Sequence, residues 1–139
     1  MAANTSPIFT LTASNPTAAI AAANTASDGS GTLVTLLTAG ANGSRVDAIT
    51  FLNAQITPAA SSAMQVHAFV TDTGGINPRH LAEALLPAAT RSATVLGATV
   101  TIVFNPPLVI GSGQIVKVTQ SVYAGAADLT HVYARAGDF

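Results

Sequence analysis

The sequence predicts an all-β chain: a single-domain β-sandwich of jelly-roll type, with about eight strands and an extended N-terminal arm. Three observations lead there. Short apolar stretches, several alternating with a period of two, are separated by turns rich in Gly, Asn and Pro at intervals of about 10 to 15 residues. The only two segments with helical features are short. The length, 139 residues, suits one domain with one core.

Residues 1–16 are polar, contain Pro7 and Pro16, and offer Ile8 and Phe9 as a small apolar anchor. They read as an arm, either lying on a neighbour or free in solution, and residues 17–139 as the sandwich domain. In PTAAIAAANTASDGSGTL, Asn15–Pro16 has the form of a helix start. Ile20 is the one bulky apolar residue of its first half, too little to dock a helix, so a strand is assigned to about 17–24. Asp28–Gly31 is then a turn. Leu33–Leu37 is a short apolar strand, and AGANGS turns the chain again.

The next strand places Val46, Ala48, Thr50, Leu52, Ala54 and Ile56 on one face, with Arg45, Asp47, Ile49, Phe51, Asn53 and Gln55 on the other. The second face starts charged, becomes apolar and ends polar, which predicts partial cover. Met64–Thr71 alternates well and stops at Thr73–Gly75. INPRHLAEALLPA is open: Asn77–Pro78 suits a short helix with Leu81, Ala84 and Leu85 on one side, while its alternation as a strand is poor. Pro87 ends it either way. Ala98–Phe104 is a strand, Asn105–Pro107 a turn, and Leu108–Ile110 leads into Gly111–Gly113. Strands at Ile115–Val122 and Leu129–Arg135 complete the chain; the last carries His131, Tyr133 and Arg135 on one face.

Charged residues make up only 8% of the chain, against about 25% in an ordinary domain, and the net charge is −1. Mean hydropathy is +0.48. An isolated chain of this kind tends to associate, whereas interface cores are depleted in charge. Much of the surface is therefore expected to be covered by other protein chains. The alternative is a surface of small Ala, Thr, Ser and Asn side chains that stays soluble without charge. Five scattered Lys and Arg, with no basic run and no aromatic platform, argue against nucleic acid. No apolar run approaches the roughly 20 residues of a membrane span. MAANTSPIF lacks the basic region and apolar core of an export signal, so synthesis in a cytoplasm is expected.

Chemistry-bearing patterns are few. His67, His80 and His131 lie in separate segments, without the spacing of a metal motif. The carboxylates Asp28, Asp72 and Asp128 stand beside turn-like stretches, where Asp serves the backbone. Ser30 and Ser112 are not in a nucleophile elbow. With no Cys, there is neither a disulfide nor a thiolate site. No catalytic, cofactor-binding or metal-binding residue is expected.

Asn4–Phe9, Thr25–Thr32 (TASDGSGT), Thr38–Arg45 (TAGANGSR) and the closing Gly137–Phe139 resemble segments of a group of small virion proteins of tailed bacteriophages. MQVHAFVTDT and PPLVIGSGQIVKV are similar to the group too, while residues from about 57 to 95 depart from it. The resemblance implies a jelly-roll cement or decoration protein, a homotrimer on the outside of the capsid, bound to the major capsid protein of the same virion. It implies no enzyme, cofactor, nucleic-acid or membrane partner. Pro7, Ile8 and Phe9 are candidate anchors, Arg45 and Asp47 candidate interface ion-pair residues, and Phe139 a candidate contact at the C-terminus. A tail or connector component and a carbohydrate- or receptor-binding module are the alternatives. Having no Trp and only Tyr123 and Tyr133 counts against the last.

Overall fold

The computed structural model describes residues 10–54 and 59–139, so the candidate anchors Pro7, Ile8 and Phe9 lie outside the described residues. In chain order the strands are β1 (Thr12–Ser14), β2 (Thr17–Ile20), β3 (Val34–Thr38), β4 (Ser44–Asn53), β5 (Met64–Thr71), β6 (Arg79–Leu86), β7 (Thr99–Ile110), β8 (Ile115–Gln120) and β9 (Thr130–Asp138). One 3-10 turn, Ala126–Asp128, precedes β9. Sheet A contains β1, β2, β9, β4 and β7, with β1 and β2 following one another along the same side of β9. Sheet B runs β3-β8-β5-β6. Every strand pair is antiparallel.

The pairing is nested. β5 pairs with β6, β4 with β7, β3 with β8, and β2 with β9. One long two-stranded ribbon is thus folded back at 72–78 and wound so that successive pairs fall in opposite sheets. That is the jelly-roll arrangement the sequence predicted. Part of the predicted arm belongs to it: Thr12, Ala13 and Ser14 pair with Asp138, Gly137 and Ala136.

Between the sheets lie Ile20, Val46, Ile49, Phe51, Met64, Val66, Ala68, Leu86, Ile110, Val116, Val118, Val132 and Ala134, all buried. Each large side chain removed from water there stabilises the fold by about 1.5–3 kcal/mol. The face assignment along β4 differs from the expected alternation. The register against β9 steps from Val46–Ala136 directly to Ala48–Arg135, so Asp47 is an extra, bulged residue. Beyond a one-residue insertion every side chain changes sides. Val46 therefore points inward with Ile49 and Phe51, while Ala48, Thr50 and Leu52 point outward. The mixed face read from the sequence was two faces joined at a bulge.

The segment 79–86 is a strand, and its poor alternation has the same cause. Opposite β5 the register steps from Ala68–Ala82 to Phe69–His80, leaving Leu81 as the bulge. Leu81 and Ala84, three apart as in a helix, both pack on the core. Asn105–Pro107 is likewise not a turn but part of β7, which runs unbroken to Ile110. It bows out of the ladder between Val103 and Leu108, opposite Asp47. β7 is the edge of sheet A, where a missing N–H leaves no ladder bond unmade.

One end of the sandwich is closed by a buried carboxylate. Asp128 accepts the N–H groups of Ser62 at 2.7 Å and Ala124 at 2.8 Å. Gln120 Nε2 donates to the Asp128 and Val122 carbonyls, both at 2.8 Å, and Asn53 Nδ2 donates to the Ala127 carbonyl at 2.9 Å. The other end holds the 72–78 turn. There the Asp72 carboxylate accepts Asn77 Nδ2 at 3.0 Å and Arg79 Nη2 at 2.6 Å.

Two outcomes follow from these carboxylates. Asp128→Ala leaves two N–H groups without their charged acceptor and lowers stability by about 3 kcal/mol, measured as a shift in the urea midpoint. The Asn77 hydrogen bond first, and then the Arg79 guanidinium, hold the Asp72 carboxyl below its ordinary 3.8. A depressed carboxylate stabilises the fold above its unfolded pKa and ceases to as pH falls through the folded value. Carboxyl NMR is expected to place the Asp72 midpoint below 3.8, and Asn77→Ala to move it upward.

Candidate functional site

The two outer faces of the sandwich are finished differently. Over sheet B the chain lays its own β2–β3 connection, residues 21–33. Asn24 N–H donates to the Gln120 carbonyl at the end of β8, at 2.8 Å. The loop is pinched shut by Asn24 Nδ2, which donates to the Ser30 and Thr32 carbonyls at 2.8 and 3.0 Å. Its tip reaches Pro78 at the head of β6: a Cβ on Gly29 would sit 2.6 Å from Pro78 Cγ. At φ +85° Gly29 also holds a backbone angle that suits glycine. On this side of the sandwich Phe69 is fully buried although it is not part of the core between the sheets.

Sheet A has no such cover among the described residues. The ladders set Ala19, His131, Leu52 and Thr99 in one row across it, and Thr17, Tyr133, Thr50 and Thr101 in the next. Arg135, Ala48 and Val103 form a third row, and Arg45 and Val109 a fourth. Val103 and Val109 are each 65% exposed, Tyr133 44% and Leu52 36%. A groove of about 550 Å³ runs along Thr17, Ala19, Leu52, His131 and Tyr133. The face is thus apolar and hydroxylic, with few charges.

Of the residues singled out from the sequence, Arg45 and Asp47 are paired with each other, Nε to Oδ1 at 2.8 Å, at one end of this face. Phe139 is close by in the fold: its N–H donates to the Gly43 carbonyl at 3.2 Å, and Asn42 Nδ2 donates to its carbonyl at 3.3 Å. Ser44, beside Arg45, bonds the Asp138 carboxylate and accepts the Gly40 N–H at 3.1 Å. The described chain also begins here. Leu11 N–H donates to the Asp138 carbonyl at 2.8 Å, and a Cβ on Gly137 would lie 2.9 Å from Thr10 Cβ. Arg45, Asp47, Phe139 and the root of the arm therefore share one corner. Sequence reasoning noted the Tyr133–Arg135 face without singling it out. The missing signal was the bulge at Asp47, which puts Leu52 and Ala48 beside it.

The fold also gathers residues that the sequence left apart. A hairpin folded about Gly75 sets His67 opposite Glu83, and the Leu81 bulge brings His80 to the same side. His67 Nδ1, His80 Nε2 and Glu83 Oε2 form a triangle with sides of 3.3, 3.5 and 3.9 Å. His67 is 2% exposed and Glu83 59%. Phe69 stands edge-on to His80, ring centres 5.3 Å apart. Burial first, then the neighbouring His80, hold the His67 pKa below its ordinary value against the opposing pull of Glu83. His67 therefore takes up a proton less readily than an ordinary histidine. The sequence signal was available only to a reader who folded the hairpin first.

No protein-family model matches the chain, and no curated protein matches it. No helix among the described residues is long and apolar enough to cross a membrane.

The corner depends on glycine at 137. Gly137→Val pushes a side chain into Thr10 and the Thr12 carbonyl. Amide exchange at Leu11 should accelerate at least tenfold, while Val132 and Ala134, inside the core, stay protected.

Proposed function

We propose that this protein is a structural component of a bacteriophage virion: a homotrimeric cement or decoration protein that binds the outside of the capsid and stabilises the shell. The observation that carries this reading is the contrast between the two outer faces. Among the described residues the chain lays its own loop over sheet B, where Leu85 stays exposed on β6, and puts no such loop over sheet A, where Val103, Val109, Leu52 and Tyr133 are exposed together. Contiguous exposed apolar surface of this kind marks an interaction site. Low charge suits a surface that becomes buried between chains, where charges are depleted.

In this reading the sheet A face packs against neighbouring copies. The corner of Arg45, Asp47, Phe139 and Thr10 faces the shell. Arg135 has no carboxylate partner among the described residues and sits mid-face beside Thr50, Thr101 and Tyr133, where it would reach an acceptor on the adjoining chain. The Arg45–Asp47 pair is half-exposed and adds little in a single chain, about 0–1 kcal/mol. Repetition over a shell makes modest contacts sufficient, because multivalent attachment multiplies weak affinities. The resemblance to small phage virion proteins supports the location.

A second reading has one foothold. The groove beside Tyr133 and His131 combines an exposed aromatic with the Thr17 hydroxyl, the elements of a sugar site. Saturable binding on a glycan array by a stable monomer would favour it over cement.

Native mass spectrometry of the dilute full chain is expected to give three times the 13.9 kDa protomer. Val103→Asp, at an exposed position that leaves folding within about 0.5 kcal/mol of the parent, should reduce it to a monomer. It should also abolish binding to bare shells. A parent that remains monomeric and does not bind shells overturns the reading.

A further inference from the structure

We propose that His67, His80 and Glu83 form a binding site for a divalent transition-metal ion of the zinc class, one ion per chain, clipping edge strand β6 to β5. Hydrogen bonds between nitrogen and oxygen or nitrogen close at about 2.7–3.2 Å. The three sides here are 3.3, 3.5 and 3.9 Å, long for a network held together by protons alone. Ligand atoms about 2.0–2.1 Å from a tetrahedral zinc lie about 3.4 Å apart. On an octahedral face at the same bond length they would lie about 3.0 Å apart. The triangle is closer to the tetrahedral edge; an ion in its plane would stand about 2.1 Å from all three atoms, and one displaced slightly towards a fourth ligand about 2.2 Å, within about 0.2 Å of the zinc range.

The donor set agrees with the geometry. Two imidazoles and a carboxylate are borderline ligands that suit zinc, cobalt and nickel better than calcium or magnesium, which require more oxygens. His67 is pre-positioned by its burial, so an ion need not order a free side chain there. His80 and Glu83 stand at the rim, which leaves the fourth position facing solvent, where water would complete the set.

A second observation points the same way. A ligating histidine usually donates its remaining N–H to an acceptor that fixes the ring. The cross-strand neighbour of His67 on β8 is Thr119. Its hydroxyl is buried and has no hydrogen-bond partner among the described residues. The ladder thus sets an unused acceptor beside the ring whose Nδ1 faces the other two ligands.

The test uses the full chain, freed of metal by a chelator and titrated separately with Zn(II) and Co(II). Saturation at one ion per chain, a rise in Tm, and intense visible Co(II) absorption of tetrahedral type are expected. His80→Ala and Glu83→Gln, both at the rim where folding tolerates change, should each weaken binding by at least about 100-fold. Thr119→Val, nearly isosteric, should weaken it by about 10-fold, and His131→Ala should leave it unchanged. No saturable binding up to about 1 mM ion, or binding that survives His80→Ala and Glu83→Gln in folded protein, overturns the proposal.

Discussion

The nested pairing of this fold centres on one reversal of the chain, at 72–78. The Asp72 N–H donates to the Ile76 carbonyl at 2.8 Å and the Gly75 N–H to the Asp72 carbonyl at 3.0 Å, so the backbone closes on itself within a few residues. The Asp72 carboxylate then holds Asn77 and Arg79 at the head of β6. Once β5 and β6 are in register, β4 and β7, β3 and β8, and β2 and β9 can pair in turn, each at a larger sequence separation. Closing long loops before contacts reward them is what makes such topologies slow to form. A strongly specified central turn reduces the number of registers the later pairs can sample.

Strands alternate with a period of two, and this chain twice departs from that period by one residue. At Asp47 and again at Leu81 the bulge changes which side chains meet the core. These departures decide the surface. Without the first, Thr50 and Leu52 would face inward and Ile49 and Phe51 would lie in solvent. Without the second, His80 and Glu83 would stand on opposite faces of β6. The class of fold was legible because most apolar runs, Met64–Thr71 above all, obey the simple period. The composition of the faces was not, because a bulge is set by the partner strand's register, which no local pattern records. The Pro106–Pro107 pair misled for a related reason. Proline normally ends a strand, but on the edge of a sheet and opposite a bulge it merely bows one.

The candidate residues divide along the same line. Arg45, Asp47 and Phe139 stood out from the sequence as rare charges and a terminal aromatic, and the fold does place them at one corner of sheet A. Their partners in the corner, Thr10 and Gly137, carry no chemical signal; their role is a close approach that only coordinates reveal. The His67–His80–Glu83 cluster was illegible for the opposite reason. Its residue types are informative but stand 13 and 3 residues apart, and neither interval matches a motif until the hairpin and its bulge are known.

The asymmetry between the faces ties these features together. A two-sheet sandwich has two outer surfaces to reconcile with water, and a chain with 8% charged residues has little to do it with. On sheet B the solution is internal. The loop 21–33 is fixed at Asn24 and at the Gly29–Pro78 contact, and the buried Phe69 ring stands edge-on to His80 of the His67 cluster. On sheet A nothing from the described chain answers the exposed Val103, Val109, Leu52 and Tyr133. The loop laid over one sheet has no counterpart on the other among the described residues. A protein in which both faces needed partners would be prone to open-ended association through heterologous contacts. Among the described residues the exposed Leu52, Tyr133, Val103 and Val109 fall on one face, with the N-terminal root and C-terminus at its corner, an arrangement that suits closed rather than open-ended contacts.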